Sequence, residues 1–233
     1  MDRAYFNWSS GKDSALALYR AMKSRRLAIQ TLFTAVPAGG SVAMHEVGID
    51  LLKRQAEAIG LPLTLFSFDP AWTPEEYSKA MGEQAERFKK QGISTALFGD
   101  LYLENLRRSR ERACARAGLR AEFPLWNAAP QELMEEFLRL GFRAVVTCVD
   151  GSVLDEGFVG RVIDEAFLKE LPHGADICGE NGEYHSFVFD GPIFHRPVPV
   201  EVAGTYYRDY PAPVSAGAKR YWYAELIISG CTR

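Results

Sequence analysis

The chain has 233 residues and a formal net charge of −3, with 27 basic and 30 acidic side chains interleaved along it. An apolar fraction of 47% is enough at this length to bury a core without disulfides or metals. The length allows one large domain or a main domain with a smaller companion. The near balance of charge argues against broad electrostatic binding to a nucleic-acid backbone.

Nothing in the sequence predicts export or membrane insertion, so we expect a cytoplasmic protein. The opening residues MDRAYFNWSSGKDS lack a basic stretch followed by an apolar one, and no apolar run approaches membrane-spanning length. The cysteines form no CxxC pair, which favours reduced, mostly buried thiols: Cys114, Cys148, Cys178 and Cys231. The histidines show no zinc-ligand spacing: His45, His173, His185 and His195.

The first half alternates short apolar runs with amphipathic stretches, in chain order. Strands are predicted at Ala4–Trp8, Leu27–Val36, Leu61–Phe68 and Thr95–Phe98. Helices are predicted at Ser14–Lys23, Val47–Ile59, Pro74–Gln91 and Leu103–Ala117. This alternation predicts an α/β fold with a mostly parallel sheet and helices on both faces. In such sheets ligands bind beyond the carboxyl ends of the strands.

The regular alternation of strands and helices ends after residue 126, so we predict a first domain over 1–126 and a smaller α+β domain over 127–233. Helices are predicted at Pro130–Leu140 and Gly157–Leu171. Strands are predicted at Ala144–Val149, Ser186–Phe189, Val198–Val202 and Tyr221–Ile228.

The most informative segment is Ser9–Ser14, which follows the first predicted strand and precedes the first helix. Backbone N–H groups in a Gly/Ser-rich turn, next to a helix N-terminus, form an anion site, and Lys12 adds a positive charge. The segment does not match a Walker A loop, since Phe6 stands where glycine is required and Asp13 follows the lysine. A carboxylate at that position suits a Mg²⁺ ion shared with a phosphate. The alternative is a plain N-capping turn with a solvated lysine.

Ser9–Ser14 resembles the SGGxDS signature of PP-loop ATP pyrophosphatases, with Ser10 in place of its first glycine. Three further segments are similar to the diphthine–ammonia ligase family, in its bacterial-type branch: Gly99–Leu101 with Arg107 and Glu111, then Phe123–Trp126, then Gly179–Tyr184 with Phe187–Gly191. The resemblance covers nearly the whole chain in the expected order. It implies a HUP-type, Rossmann-like ATP domain followed by a substrate domain.

The resemblance also implies a reaction in which ATP adenylates a carboxylate, pyrophosphate leaves, and ammonia displaces AMP to give an amide. The implied nucleotide-binding residues are the loop Ser9, Ser10, Gly11, Lys12, Asp13 and Ser14 for the pyrophosphate portion, Thr34, Ala35 and Val36 towards the adenine, and Gly99 and Asp100 near the α-phosphate or ribose. The implied catalytic residues are Lys12, Asp13, Asp100, Arg107, Glu180 and Glu183, with Asp13 at the metal.

Substrate-binding residues are expected on one helix, in the late motif and in the loop after the second strand: Arg107, Arg110, Glu111, Asn181, Glu183, Tyr184 and His45. An i,i+4 salt bridge between Arg107 and Glu111 is a rival interpretation of the helix motif, and an acidic turn is a rival interpretation of the late motif. The family pattern has Gly-Gly in the loop and Glu-Gly-Gly-Glu in the late motif, whereas this chain has Ser10 and Asn181 there.

The expected partners are a small or protein-borne carboxylate and ammonia, with nucleic acid unfavoured and a homodimer open. Whether the acceptor is diphthine stays open. A rival enzyme passes the activated group to sulfur or another nucleophile, as in RNA modification, and the scattered cysteines disfavour the sulfur version. A rival from another class is a nucleotide sensor without turnover.

Overall fold

The computed structural model describes residues 1–38, 47–211 and 218–230. By their internal packing these residues form two compact units. The first comprises 1–9, 13–38 and 60–128, and the second comprises 10–12, 47–59, 129–211 and 218–230.

The first unit is built on a five-stranded parallel sheet in the order β3-β2-β1-β4-β5. Its strands are β1 (Asp2–Asn7), β2 (Leu27–Pro37), β3 (Leu63–Phe68), β4 (Ile93–Leu97) and β5 (Arg120–Glu122). The helices along this part of the chain are α1 (Lys12–Ser24), α3 (Pro74–Lys90) and α4 (Glu104–Arg116). The chain runs outward from β1 to β3 and then returns to β4, so the strand order reverses between β1 and β4. This switch point is where doubly wound sheets bind ligands.

An aromatic cluster fastens α3 to this sheet. The rings of Tyr5 and Phe88 stack with centroids 4.4 Å apart, and Phe33 meets Phe88 edge-on at 5.4 Å. All three side chains are buried. The helix starts sharply because Thr73 and Glu76 form a capping box ahead of Pro74. The core thus holds β1 and its carboxyl end in place.

The second unit is built on a four-stranded antiparallel sheet in the order β7-β6-β9-β8. Its strands are β6 (Arg143–Asp150), β7 (Tyr184–Asp190), β8 (Val200–Pro211) and β9 (Ala218–Ile228). Its helices are α2 (Ile49–Ile59), α5 (Pro130–Arg139) and α6 (Glu165–Glu170). The predicted α/β fold with an additional α+β part is therefore confirmed.

The predicted helix over Gly157–Leu171 is wrong. The segment holds a 3₁₀ turn at Glu156–Phe158, an isolated bridge from Val162 to Val145, and only then the six residues of α6. Two local caps explain the interruption, because the carboxylate of Asp155 accepts from the Gly157 N–H and that of Asp164 from the Phe167 N–H. The short strand β5 was not predicted, since three residues give no usable period.

Within residues 1–38, 47–211 and 218–230, no helix is both long and apolar enough to cross a membrane. Three of the four cysteines, Cys114, Cys148 and Cys178, are buried thiols outside any disulfide, as expected. Cys231 lies outside the described residues.

Candidate functional site

The loop after β1 adopts an unusual backbone conformation. Ser10 has a φ of 72°, in the left-handed region that favours glycine. Its side chain is fully buried, and its hydroxyl has no hydrogen-bond partner among the described residues. A buried, unpaired hydroxyl costs free energy unless something satisfies it. Gly11 is also buried. Because α1 begins at Lys12, the loop leads directly into the N-terminus of this helix.

The flanking serines of the loop and the residue after β4 belong to the first unit. The hydroxyls of Ser9 and Ser14 lie 2.6 Å apart, and the Ser9 N–H donates to the Ser14 hydroxyl at 3.2 Å. A Cβ added at Gly99 would lie 3.1 Å from Ser14 N and 3.2 Å from the carbonyl carbon of Asp13. Glycine at 99 therefore lets the segment that follows β4 approach the first turn of α1 closely.

Lys12 is buried and belongs to the second unit with the late loop, residues 176–184. Its ammonium donates to the carbonyl of Cys178 and lies 4.9 Å from the centroid of the Tyr184 ring. Burial and the nearby Lys12 ammonium lower the pKa of His185 to about 4. The structure thus brings two sequence-predicted residues, Lys12 and Tyr184, into contact.

Asp100 follows β4 and is paired with a helix arginine. The Arg110 Nη2 donates to Asp100 Oδ1 at 3.1 Å. Arg110 Nε and Asp100 Oδ2 are 2.5 Å apart, but their geometry is not that of a hydrogen bond, so this second contact is an ion pair only. The guanidinium also lies 4.6 Å from the centroid of the Phe98 ring. Arg110 is therefore held at the carboxyl end of β4, next to the switch point.

Arg107 makes the predicted i,i+4 pair, with its Nε donating to Glu111 Oε1 at 2.7 Å. Its guanidinium carbon also lies 4.5 Å from the Trp126 ring centroid and 5.3 Å from that of Phe123. The salt bridge and the aromatic contacts fix one arginine between two motifs that the sequence presents separately. This arrangement stabilises α4 against the segment after β5, and it leaves a role in substrate binding as a prediction.

The late loop is organised around one buried carboxylate. Glu183 Oε1 accepts from the Asp176 N–H at 3.1 Å and from the Asn181 side-chain amide at 3.2 Å. Its Oε2 accepts from the Asn181 N–H at 3.1 Å. Tyr184 donates its hydroxyl to the Ile177 carbonyl at 2.6 Å. Glu183 therefore has a clear structural role, while Glu180 is half-buried in the same loop.

The remaining predicted nucleotide-binding residues lie at the end of β2. The Thr34 hydroxyl donates to the Trp8 carbonyl at 2.7 Å, Val36 is buried and Ala35 is half-buried. This hydrogen bond joins β2 to the residue that precedes the Ser9–Ser14 loop. His45 lies outside the described residues.

The predicted metal residue, Asp13, is half-buried in the first turn of α1. In the part of the chain that the structure describes, no group of three His, Cys, Asp or Glu side chains could hold a metal. Mg²⁺ is commonly held by one or two carboxylates together with substrate phosphates, so a single aspartate would fit that ion if the Ser9–Ser14 loop binds phosphate.

Two residues near the loop were missed by the sequence analysis. Gln55 of α2 and Ser186 of β7 are both buried and hydrogen-bonded to the loop backbone. The sequence did contain a sign of Gln55, because it is the polar residue on the otherwise apolar, buried face of its helix. The sequence contained no such sign of Ser186, since a serine in an apolar strand is common.

The sheet order, the Gly/Ser loop after β1 and the polar residues after β4 define an α/β protein of the HUP class, with the PP-loop arrangement. Two family models then match nearly the whole chain: Diphthamide synthase N-terminal domain over residues 2–121 and Diphthamide synthase C-terminal domain over residues 129–224. The chain belongs to this diphthamide synthase (diphthine–ammonia ligase) family. The predicted family and the predicted class of enzyme, an ATP-dependent carbon–nitrogen ligase, are confirmed.

Curated relatives carry the same name. Diphthine–ammonia ligase of Bos taurus is 27% identical over 89% of this chain and 86% of its own length. The diphthine–ammonia ligase of Homo sapiens is also 27% identical, over 83% of this chain and 80% of its own length. Among solved structures, the U34-tRNA thiolase NcsA from Methanococcus maripaludis, with its [4Fe-4S] cluster, aligns with a TM-score of 0.40 and 15% identity over 60% of this chain and 57% of that chain.

Proposed function

We propose that this protein splits ATP into AMP and pyrophosphate, joins the AMP to a carboxylate, and transfers the acyl group to ammonia to form an amide. Its family membership supports the class of reaction. The names of its curated relatives support diphthine as a carboxylate to test first.

The observation that carries the proposal is the state of Ser10. A residue in a left-handed conformation with a buried, unpaired hydroxyl is doubly unfavourable, and such features persist at sites where a ligand is bound. The loop lies between β1 and the N-terminus of α1, where the partial positive charge of the helix dipole attracts phosphate.

The phosphate loop binds the β- and γ-phosphates of ATP through its N–H groups and the hydroxyls of Ser9, Ser10 and Ser14. A carboxylate oxygen of the acceptor attacks the α-phosphorus and pyrophosphate leaves; ammonia then attacks the acyl carbon, AMP leaves, and one proton is released. Asp13 would hold Mg²⁺ together with the phosphates, and the bound ion would supply charge neutralisation for the leaving pyrophosphate. No enzyme nucleophile is needed, so positioning and charge neutralisation carry the catalysis.

Lys12 supplies the fixed positive charge in this proposal. Its ammonium is buried against Tyr184 and bonded to a backbone carbonyl, so it is held in one place before ATP arrives. Such preorganised charge is worth more in a buried site than in water. Asp100 and Arg110 act together after β4, with the guanidinium binding an anionic oxygen of the nucleotide or of the acceptor.

The test incubates the protein with Mg·ATP, ammonium and either a diphthine-bearing protein or a panel of small carboxylates, and separates the nucleotide products. We expect AMP and pyrophosphate in equal amounts, with a rate about 10²- to 10³-fold lower in Lys12→Ala, the size of effect seen when a transition-state contact is removed. Lys23→Ala, at the exposed end of the same helix, is the matched control and should keep the full rate.

Three other outcomes contradict the proposal. ADP and phosphate would mean cleavage at the wrong bond. ATP binding with no product from diphthine or from any carboxylate would favour a sensor. AMP formation that does not depend on ammonium would favour transfer to another nucleophile.

A further inference from the structure

Gln55 is a polar side chain in an apolar position. It is fully buried in α2, and the other buried residues of that helix are leucine, isoleucine and alanine. A buried amide is tolerated only when its donors and acceptor are satisfied. The hydrogen bonds of the Gln55 amide therefore indicate which parts of the chain this residue stabilises.

The amide of Gln55 clamps two backbone segments together. Its Nε2 donates to the Ser10 carbonyl at 3.1 Å and to the Val188 carbonyl at 2.6 Å. The Val188 N–H also donates to the Ser10 carbonyl, at 3.0 Å. Two donors thus converge on the carbonyl oxygen of the one loop residue whose backbone is strained.

The next peptide of the loop is held as well. The Lys12 N–H, at the first position of α1, donates to the Ser186 hydroxyl at 3.2 Å. Val188 and Ser186 lie two residues apart on β7, so that one strand carries the supports for residues 10 and 12. The left-handed conformation of Ser10 is therefore determined from outside the loop, which is the condition under which strain persists.

We infer that Gln55 is a positioning residue for phosphate binding: by holding the Ser10 carbonyl it keeps the Ser10 hydroxyl and the start of α1 arranged for the phosphates of ATP. The inference rests on the proposed function of the loop. It predicts that Gln55 affects the affinity for the phosphates and not for the nucleoside, because its amide holds the backbone of the loop that is proposed to bind the phosphates.

The experiment measures the affinities of Mg·ATP and of adenosine by calorimetry for the wild type, Gln55→Met and Gln55→Glu. Methionine keeps the volume but cannot donate, and glutamate keeps the shape but offers at most one donor. We expect the Kd for ATP to rise about tenfold in both variants, the scale of one well-placed hydrogen bond, and the Kd for adenosine to stay within about twofold. Gln84→Met, at a buried glutamine of α3, is the matched control and should leave both affinities unchanged.

The outcomes separate the inference from the proposed function. If the wild type does not bind ATP, the proposed function fails. If the wild type binds and both Gln55 variants bind ATP equally well, or lose ATP and adenosine in the same proportion, Gln55 has only a structural role and the inference is overturned. Amide hydrogen exchange provides a second measurement: faster exchange at residues 10–12 in Gln55→Glu, with the rest of β7 still protected, supports the inference, and unchanged exchange there overturns it.

Discussion

Two loops of the second unit both bury polar side chains, but they differ in whether those side chains are hydrogen-bonded. At residues 10–12, a serine hydroxyl is buried without a partner and the backbone is strained. In the late loop, Glu183 is buried with three hydrogen bonds from its own loop, and the Tyr184 hydroxyl is bonded as well.

The difference separates ligand binding from structure. Polar groups that the fold already satisfies stabilise the fold, and replacing them lowers stability. Polar groups that the fold leaves unsatisfied cost stability, and they are explained when a ligand completes them. By this criterion we expect the Ser10 loop to bind the ligand, and we expect Glu183 to stabilise the late loop.

The largest expected effect on stability comes from a substitution in the late loop. Glu183→Gln replaces an acceptor-only carboxylate by an amide whose NH₂ group faces N–H donors, so the free energy of unfolding should fall by about 3 kcal/mol. Urea titration measures the loss, and Glu132→Gln on an exposed position of α5 should change it by no more than about 0.5 kcal/mol.

The opposite result would reassign Glu183. If Glu183→Gln were as stable as the wild type but inactive at saturating ATP and ammonium, the carboxylate would act on the substrate. The sequence-based prediction that Glu183 is catalytic would then be supported, and the interpretation that it only stabilises the loop would be wrong.

A pH titration tests whether Lys12 is charged next to the late loop. Because the pKa of His185 lies at about 4 in the folded protein and at 6.5 in the unfolded chain, only the unfolded chain takes up a proton between these values. The free energy of unfolding should therefore fall by about 2 kcal/mol between about pH 7 and pH 5 through this group. Urea titrations at the two pH values measure it.

His185→Gln should remove this part of the pH dependence, whereas His173→Gln, at an exposed histidine, should retain it. Lys12→Met should weaken it, since the ammonium contributes to the lowered pKa. Equal pH dependence in the wild type and His185→Gln would mean that His185 is solvated and does not sense Lys12.

The fold was largely predictable because its signals are local. Strands β1 to β4 and their helices lie within a few residues of the prediction, since glycines, caps and apolar periods mark their ends. The segment 157–171 was not predictable in this way, because Asp155 and Asp164 form side-chain caps that interrupt an apparently helical pattern. The strand β8 continues to Pro211, well beyond its apolar start, because β9 pairs with it along its length.

The site was predictable only where a motif is continuous in the chain. The segment Ser9–Ser14 predicts a phosphate loop, and the family resemblance adds Asp100 and Arg110, which the structure pairs. Gln55 and Val188 are far from the loop in sequence, so their hydrogen bonds to Ser10 depend on tertiary structure that no period reveals. The satisfied state of Glu183 depends on the conformation of its own loop, which supplies the donors Asp176 and Asn181, and an irregular loop has no period that could predict it.

The smallest expected effect sharpens the comparison at Ser10 itself. Ser10→Gly removes the buried hydroxyl and relaxes the left-handed backbone, whereas Ser10→Ala removes the hydroxyl and keeps the strain, so the glycine variant should be about 1 kcal/mol more stable than the alanine variant in urea. If the hydroxyl binds phosphate, the same glycine variant should bind Mg·ATP several-fold more weakly than the wild type, up to about tenfold. A stability above that of the alanine variant, together with an affinity below that of the wild type, would indicate that Ser10 is kept for its ligand at a cost in backbone strain. Unchanged ATP affinity in Ser10→Gly would mean that the hydroxyl is a tolerated replacement for glycine, and that the loop amides bind the phosphates without it.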